Sequence, residues 1–225
     1  MLNKRISSLL IFLSLTICFA IAGAVILCAT TLTQPTVWLN QFSKAWLDPI
    51  IDSITDLGLG GFWVVVAVLL LFYRYSYSLI LLTDLGLVAL FTYLFKEILF
   101  PNLPRPLLLL NLTDLTRWVD GADTYLHSSF PSGHTMTAFA VCTLFAYWIG
   151  RKGWAIVIFF FAFMVGFSRV YMLQHFLRDV FFGAIYGTVI SLVTIWFYDV
   201  VLNIENNKLI NKSLLQFMPL RKKLD

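Results

Sequence analysis

The chain has 225 residues, of which 60% are hydrophobic and only 12% are charged. Together with a mean hydropathy of +0.84, this excludes an ordinary soluble domain, in which about 25% of residues are charged. An apolar excess of this size cannot be buried in one soluble core, so the composition predicts a polytopic membrane protein folded as a single domain, residues 1–225. The net charge of +4 does not indicate a nucleic-acid partner, because no basic stripe interleaved with aromatic residues lies outside the apolar segments.

Six apolar segments are long enough to predict an all-α bundle of six transmembrane helices, since a spanning helix needs about 20 apolar residues. The first follows Lys4 and Arg5, as a secretory signal would, but its apolar run is too long, and we interpret it as a retained anchor. The three cysteines lie inside these segments without metal-ligand spacing and are interpreted as packing residues. The predicted spans are Ser8–Leu32, Gly58–Tyr73, Ser78–Phe100, His134–Gly150, Gly153–Leu173 and Val180–Leu202.

The distribution of lysine and arginine predicts the orientation of the bundle, because cytoplasmic loops retain positive charge. Six spans place both termini on one side, and that side receives ten of the sixteen basic residues. We therefore expect cytoplasmic N- and C-termini, with residues 203–225 as a cytoplasmic tail of short helix or coil. The ten residues are Lys4, Arg5, Arg74, Arg151, Lys152, Lys208, Lys212, Arg221, Lys222 and Lys223.

Two connections are expected on the opposite side of the membrane. Residues 34–56 are amphipathic and fit either an interfacial segment or a plain loop. Residues 101–130 form the longest polar connection. They follow the prolines that stop the third span and are a candidate substrate-facing loop.

Polar and ionisable residues cluster at the outer ends of the third, fourth and fifth spans, where such groups are functional candidates. Each cluster alone has a simpler explanation: an interfacial anchor for Lys96 and Arg105, a turn for Ser132 and Gly133, or an i, i+4 pair for His175 and Asp179. Together they supply what phosphoryl transfer needs, namely fixed cations, amide donors at a helix N-terminus, and two histidines for nucleophile and acid. The clusters are Lys96 with Arg105, Pro131-Ser132-Gly133-His134, and Ser168-Arg169 with His175 and Asp179.

These motifs resemble the signature of the type 2 phosphatidic acid phosphatase superfamily, which is Lys-x6-Arg-Pro, Pro-Ser-Gly-His and Ser-Arg-x5-His-x3-Asp. The second and third motifs match without change, and the resemblance extends from Lys96 to Asp179. The first departs from the pattern, with eight residues between Lys96 and Arg105 instead of six. Either the longer connection bulges and lets Lys96 reach the site, or Arg105 alone supplies the charge there.

The resemblance implies a metal-independent phosphatase without cofactors. His175 would attack phosphorus, Asp179 would hold its other ring nitrogen, and His134 would act first as acid and then as base. Because His175 and Asp179 are four residues apart, they would share a helix face if the sixth helix began near Gln174. The resemblance assigns the phosphate to Lys96, Arg105, Arg169, Ser132 and Gly133.

The expected substrate is a lipid phosphate: phosphatidate, phosphatidylglycerophosphate, undecaprenyl diphosphate or a lipid A type. We expect it to be hydrolysed at the outer face of a cytoplasmic (inner) membrane, with no nucleic acid and no obligate protein partner. There are two alternatives to a phosphatase: a phosphotransferase that uses the same phosphohistidine, and a non-enzymatic transporter. Asp84 is interpreted as a buried hydrogen-bonding group, and Gly183 with Gly187 as a site of close helix packing.

Overall fold

The computed structural model describes residues 2–119, 125–207 and 210–217. Every regular element in this part of the chain is helical. The shorter helices α2, α3 and α6 lie on the connections. The α-helices are α1 Leu2–Ala29, α2 Gln34–Asn40, α3 Asp48–Asp56, α4 Gly60–Tyr73, α5 Tyr75–Tyr93, α6 Pro106–Leu109, α7 Gly133–Ile149, α8 Lys152–Tyr171 and α9 Leu177–Trp196.

Four helices in the described part of the chain are long and apolar enough to cross a membrane. The bent pair α3 and α4, whose axes differ by 52°, would be a fifth. The helix α7 has 17 residues and corresponds to the predicted fourth span. The membrane-protein prediction is therefore confirmed at the level of several apolar helices in one bundle. The four helical stretches are Leu2–Ala29, Tyr75–Leu99, Lys152–Tyr171 and Leu177–Val201.

The helix α7 is the central element of the bundle. Twelve of its residues are buried, and it contacts α1, α4, α5, α8 and α9. Its contact with α9 is close because Gly187 lacks a side chain: a Cβ there would lie 2.2 Å from the Met136 carbonyl oxygen. This agrees with the packing interpretation of Gly183 and Gly187.

The surface of the bundle carries the apolar side chains that composition predicts for a lipid-facing exterior. Val25, Val65 and Leu69 are each at least 60% exposed. They lie on α1 and α4, at positions that face away from α7. In a membrane, contact with lipid tails would remove this apolar area from water. In a soluble protein the same side chains would stay exposed to water.

The connections and helix ends add detail to the sequence prediction. Residues 34–56 contain the two short helices α2 and α3, and each has a proline in its first turn. The third predicted span continues as a π-helical turn, Leu94–Leu99, and the described part of the tail forms short 3₁₀ turns. Asp120 and Asp123 of the outer loop, and Lys208 with residues 218–225 of the tail, lie outside the described residues.

The condition for a shared helix face, a sixth helix that begins near Gln174, is not met. The helix α9 begins at Leu177, and Phe176 is its N-cap. His175 therefore lies in the turn between α8 and α9 and not on a helix. The turn is closed by the Arg169 carbonyl, which accepts from the amides of Gln174 and His175 at 3.1 Å. Sequence periodicity did not reveal this, because the i, i+4 spacing persists while the backbone changes direction.

The two ends of the bundle differ in character. At one end, Ser8 donates a hydrogen bond to the Arg151 carbonyl, Arg5 donates to the Tyr77 hydroxyl, and the Tyr75 amide donates to the Lys212 carbonyl. The N-terminal segment, the α4–α5 and α7–α8 turns and residues near the C-terminus thus meet at one end. The signature residues meet at the other.

Candidate active site

The N-terminus of α7 forms one wall of the site. Ser132 is the N-cap, and its hydroxyl accepts from the Thr135 amide at 3.5 Å and the Thr135 hydroxyl at 2.9 Å. The Ser132 amide donates to the Asp179 carbonyl at 3.0 Å, which fixes the start of α7 against the start of α9. Gly133 and His134 follow directly, so the first free amides of α7 point toward the site with the positive end of the helix dipole.

His134 is held from the α3–α4 connection. A Cβ at Gly58 would lie 2.7 Å from Cβ of His134 and 2.8 Å from Cγ1 of Val165. Only a glycine backbone fits between these side chains. Gly58 was predicted only as the start of a span, since a single glycine before an apolar run carries no signal of what it packs against.

His175 and Asp179 form the opposite wall and are almost completely buried, with exposures of 1% and 0%. The Nδ1 atom of His175 lies 3.5 Å from Oδ2 of Asp179, which is an ion-pair distance but longer than a good hydrogen bond. The same oxygen accepts from the Phe176 amide at 3.1 Å and from the Ser129 hydroxyl. The contact predicted between His175 and Asp179 is thus present. It arises because Asp179 caps the start of α9 beside His175, and not because the two residues share a helix face.

Burial lowers the pKa of His175 well below its ordinary value of 6.5, and the positive charges of Lys96 and Arg169 act in the same direction. The nearby Asp179 opposes this shift but does not reverse it. The resting imidazole is therefore neutral at physiological pH. A neutral ring is the form that carries a free nitrogen lone pair.

The three predicted phosphate-binding cations lie in the same region. Lys96, Arg105 and Arg169 all interact electrostatically with His134, and Lys96 and Arg169 also interact with His175. The structure therefore brings the first, second and third motifs together at one end of the bundle. Three cations around two histidines create a strongly positive pocket, which favours a multiply charged anion.

Lys96 reaches this region despite its longer spacing from Arg105. It lies on the π-helical turn Leu94–Leu99, and a π turn accommodates an extra residue within a helix. Lys96 also lines the open cleft beside His134. Of the two alternatives for this motif, the geometry supports the one in which Lys96 faces the site.

Each arginine is held by backbone or hydroxyl groups. Arg105 donates from Nε to the His127 carbonyl at 3.0 Å and from a terminal nitrogen to the Gln174 carbonyl at 3.4 Å. Arg169 is 3% exposed and donates to the Thr55 hydroxyl at 2.7 Å. Ser168 contacts the same Thr55 hydroxyl at 3.0 Å and donates to the Val165 carbonyl at 2.7 Å, so it is held beside Arg169.

A cleft of about 680 Å³ opens beside these groups. Its polar end is formed by Lys96, Glu97, Gly133 and His134, and its walls are apolar residues of α4 and α5, including Val64 and Leu82. His175 does not line the cleft, so His134 lies on the open side of the site and His175 on the enclosed side. In the described part of the chain, no group of three or more His, Cys, Asp or Glu side chains is arranged to hold a metal ion.

Fold and site together define an all-helical membrane protein with a positively charged pocket beside two histidines at one end of the bundle. Comparison with known proteins specifies the family: residues 74–202 match the PAP2 superfamily, and the chain belongs to it. The family predicted from the three motifs is thereby confirmed.

Similar proteins include a lipid A 1-phosphatase from Porphyromonas gingivalis, which is 37% identical over 76 residues. The match covers 33% of this chain but spans only 17% of that protein. The crystal structure of LpxE from Aquifex aeolicus is similar, with a TM-score of 0.63 and 26% identity over 72% of this chain and 93% of that one. A transmembrane PAP2-type phosphatidylglycerolphosphate phosphatase from Bacillus subtilis shares the fold, with a TM-score of 0.57 and 23% identity over 91% of this chain and 98% of that one.

Proposed function

We propose that this protein hydrolyses a phosphate monoester or diphosphate of a membrane lipid through a phosphohistidine, without a metal ion. The observation that carries the proposal is that Lys96, Arg105 and Arg169 surround His134, and that Lys96 and Arg169 also act on His175. The open side of this cation cluster is an apolar cleft. A charged head group with a hydrocarbon tail is the ligand that matches both properties.

His175 is the proposed nucleophile. Its neutral Nε2 would attack phosphorus while Nδ1–H faces Asp179, and the bond from phosphorus to the lipid oxygen would break. His134 would donate its proton to that oxygen, then take a proton from the water that hydrolyses the phosphohistidine. This cycle returns both imidazoles to their starting protonation states, so it needs no other reactant than water.

Lys96, Arg105 and Arg169 would bind the phosphate oxygens, with the amides at the start of α7. Gly133 lets an oxyanion approach the backbone, and the Ser132 hydroxyl retains its own hydrogen to donate because its recorded contacts with Thr135 are as acceptor. In phosphoryl transfer, most of the lowering of the activation barrier comes from positioning the reactants and from stabilising the charge on the equatorial phosphate oxygens. These cations and amides would provide that stabilisation.

The cleft between α4 and α5 supports a lipid substrate over a water-soluble one. Its apolar walls extend away from Lys96 and His134 along the two helices, as a hydrocarbon tail would. The names of the similar proteins point to lipid A and phosphatidylglycerophosphate as substrate types. Phosphatidate and undecaprenyl diphosphate have the same combination of head group and tail.

We place the protein in a cytoplasmic (inner) membrane, with six spans, both termini in the cytoplasm and the site at the outer face. In this arrangement α4 and the 17-residue α7 are the second and fourth spans. The basic residues Arg5, Arg74, Arg151 and Lys212 share the end opposite the site, as shown by their contacts. The positive-inside rule assigns that end to the cytoplasm.

The test uses the purified full chain in lipid–detergent micelles with a panel of labelled lipid phosphates, in the presence of EDTA. We expect phosphate release and an acid-labile phosphoenzyme, and we expect His175→Asn to abolish both, by about 10³-fold or more in kcat. Unchanged thermal unfolding of the variant would show that the fold is intact. Release that persists in His175→Asn would refute the mechanism. Product that carries the label on an added acceptor lipid would indicate a phosphotransferase instead.

A further inference from the structure

Arg178 precedes Asp179 and contacts its carboxylate, although the third motif leaves its position unspecified. Its Nε and a terminal nitrogen lie 3.3 Å and 3.2 Å from Oδ1 of Asp179. The other oxygen, Oδ2, accepts from Ser129 and the Phe176 amide and faces His175. The two oxygens therefore have separate partners, with the guanidinium on one and the imidazole on the other.

This contact does not follow from sequence adjacency. Neighbouring side chains on a helix project about 100° apart, so Arg178 must fold back to reach Asp179. Its guanidinium is held 5.5 Å from the ring centre of Phe130, and Phe130 is only 8% exposed. Four aromatic side chains fix that ring in turn: Phe95, Phe100, Phe182 and Tyr186.

We propose that Arg178 is a positioning residue that shares the negative charge of Asp179 and so shortens the lifetime of the phosphohistidine. This rests on the proposed function, because it concerns the second step of that reaction. A guanidinium is a fixed cation, so it interacts with the carboxylate in both the resting and the phosphorylated states.

The chemistry gives the effect a sign. When Nε2 of His175 is bonded to phosphorus, the ring carries Nδ1–H and a positive charge, which Asp179 stabilises. Hydrolysis transfers the phosphoryl group to water, breaks the N–P bond and leaves the neutral ring. A carboxylate that binds Nδ1–H more strongly makes the ring more basic and a poorer leaving group. Sharing the carboxylate with Arg178 therefore favours the second step.

The other charged groups around His175 are already positive. Lys96 from the π-helical turn after α5 and Arg169 from α8 act on it directly. The helix α7 contributes His134, which interacts with the same two cations. The negative group that α9 contributes is Asp179. Weakening or strengthening Asp179 therefore changes the charge balance at His175 directly.

The test compares Arg178→Gln with wild type by rapid-quench kinetics on a labelled lipid phosphate. We expect the phosphorylated fraction at steady state to rise several-fold and kcat to fall about fivefold to tenfold, the size of one charge-assisted contact. The acid limb of kcat/KM should move up by about one pH unit, because His175 becomes more basic. Arg178→Lys keeps the positive charge without the two-point contact, so its phosphorylated fraction and kcat should lie between those of wild type and Arg178→Gln.

Arg74→Gln is the matched control. Arg74 also stacks on an aromatic ring, 5.7 Å from the centre of Tyr77, but at the opposite end of the bundle, and its replacement should change none of these quantities. An unchanged phosphorylated fraction and acid limb in both Arg178 variants would overturn this inference alone. Equal slowing of both steps with an unmoved acid limb would also overturn it, by showing a structural role. Absence of any phosphoenzyme in wild type would overturn the proposed function itself.

Discussion

Thr55 is the clearest case of a single residue on which the proposed chemistry depends without belonging to a motif. Its hydroxyl accepts from Arg169 at 2.7 Å and contacts Ser168 at 3.0 Å. It is 5% exposed, so its loss would not be compensated by water. Thr55 thus fixes the guanidinium that faces both histidines.

We predict that Thr55→Val lowers kcat/KM for a lipid phosphate by about tenfold, since a hydrogen bond to a charged group contributes about 1.5–3 kcal/mol and Arg169 keeps its other contacts. Thr55→Ser should restore most of the loss. Ser53→Ala is the control, because the Ser53 hydroxyl is exposed and bonds only to the Pro49 carbonyl of its own helix. Steady-state kinetics that do not distinguish Thr55→Val from Ser53→Ala would contradict the prediction.

The burial of His175 predicts a pH dependence of stability. Its pKa in the folded protein lies well below the value of 6.5 expected for the unfolded chain, so below pH 6.5 the unfolded chain binds a proton that the folded protein does not. The free energy of unfolding therefore falls as the pH drops below about 6.5, by about 1.4 kcal/mol per pH unit at most. Above that pH this contribution is constant.

The measurement is thermal unfolding in detergent at pH 7.5 and pH 5.0, for wild type and His175→Asn. The wild type should lose up to about 2 kcal/mol more than the variant between these two conditions. Other titrating groups are common to both proteins and cancel in the comparison. An equal loss in both would show that His175 accepts its proton in the folded state.

The candidate site residues with reactive or charged side chains were predictable from the sequence. The residues that hold them in position were not. His134, His175, Asp179 and the three cations are recognisable because ionisable groups are costly at the end of an apolar helix. Ser129 and Thr55 are ordinary hydroxyl residues, and Gly58 is one of twelve glycines. Their part depends on which distant segment they touch, which no local pattern encodes.

At the scale of elements, the contact between α7 and α9 determines whether the two walls of the site meet. It is a backbone contact, since Gly187 lies against Met136 and Gly183 against the Ser132 carbonyl. The spacing of the two glycines made this packing predictable. The partner helix was not, because small residues recur in several of the apolar segments.

We predict that Gly187→Ala lowers the thermal unfolding midpoint by several degrees or prevents folding, because the new methyl group would overlap the Met136 carbonyl. Gly153→Ala is the matched control on α8, where an added Cβ meets no atom within 4 Å. That variant should be neutral or slightly stabilising. Equal midpoints for the two variants would mean that α7 and α9 are less closely packed.

Helix boundaries were predictable where hydropathy changes abruptly. They were not predictable where the hydropathy stays similar across the boundary and only the backbone conformation changes. The end of α4 at Tyr73 agrees with the predicted limit, because Arg74 ends the apolar run. The start of α9 and the helices α2 and α3 were missed. Polar and aromatic residues alternate there without a clear period, and tertiary contacts select the conformation.

At the scale of the whole molecule, the separation of the two ends predicts the topology. A fluorescent-protein fusion after residue 217 should be fluorescent, because this reporter folds in the cytoplasm. An alkaline phosphatase fusion at Thr113 in the outer loop should be active, because that enzyme folds outside the cytoplasm. Exchanging the two reporters should silence both. Activity of alkaline phosphatase at residue 217 would reverse the proposed orientation.

The central position of α7 has a consequence for biosynthesis. His134 is synthesised well before His175 and Asp179. The Ser132 amide at the start of its helix is nevertheless bonded to the Asp179 carbonyl, and His175 lies in the turn just ahead of α9. A nascent chain that has inserted only the earlier spans therefore contains one half of the pocket. Under the proposed function, we expect catalytic competence to arise only when α9 enters the bilayer, so that incompletely translated chains release no phosphate from the surrounding lipids.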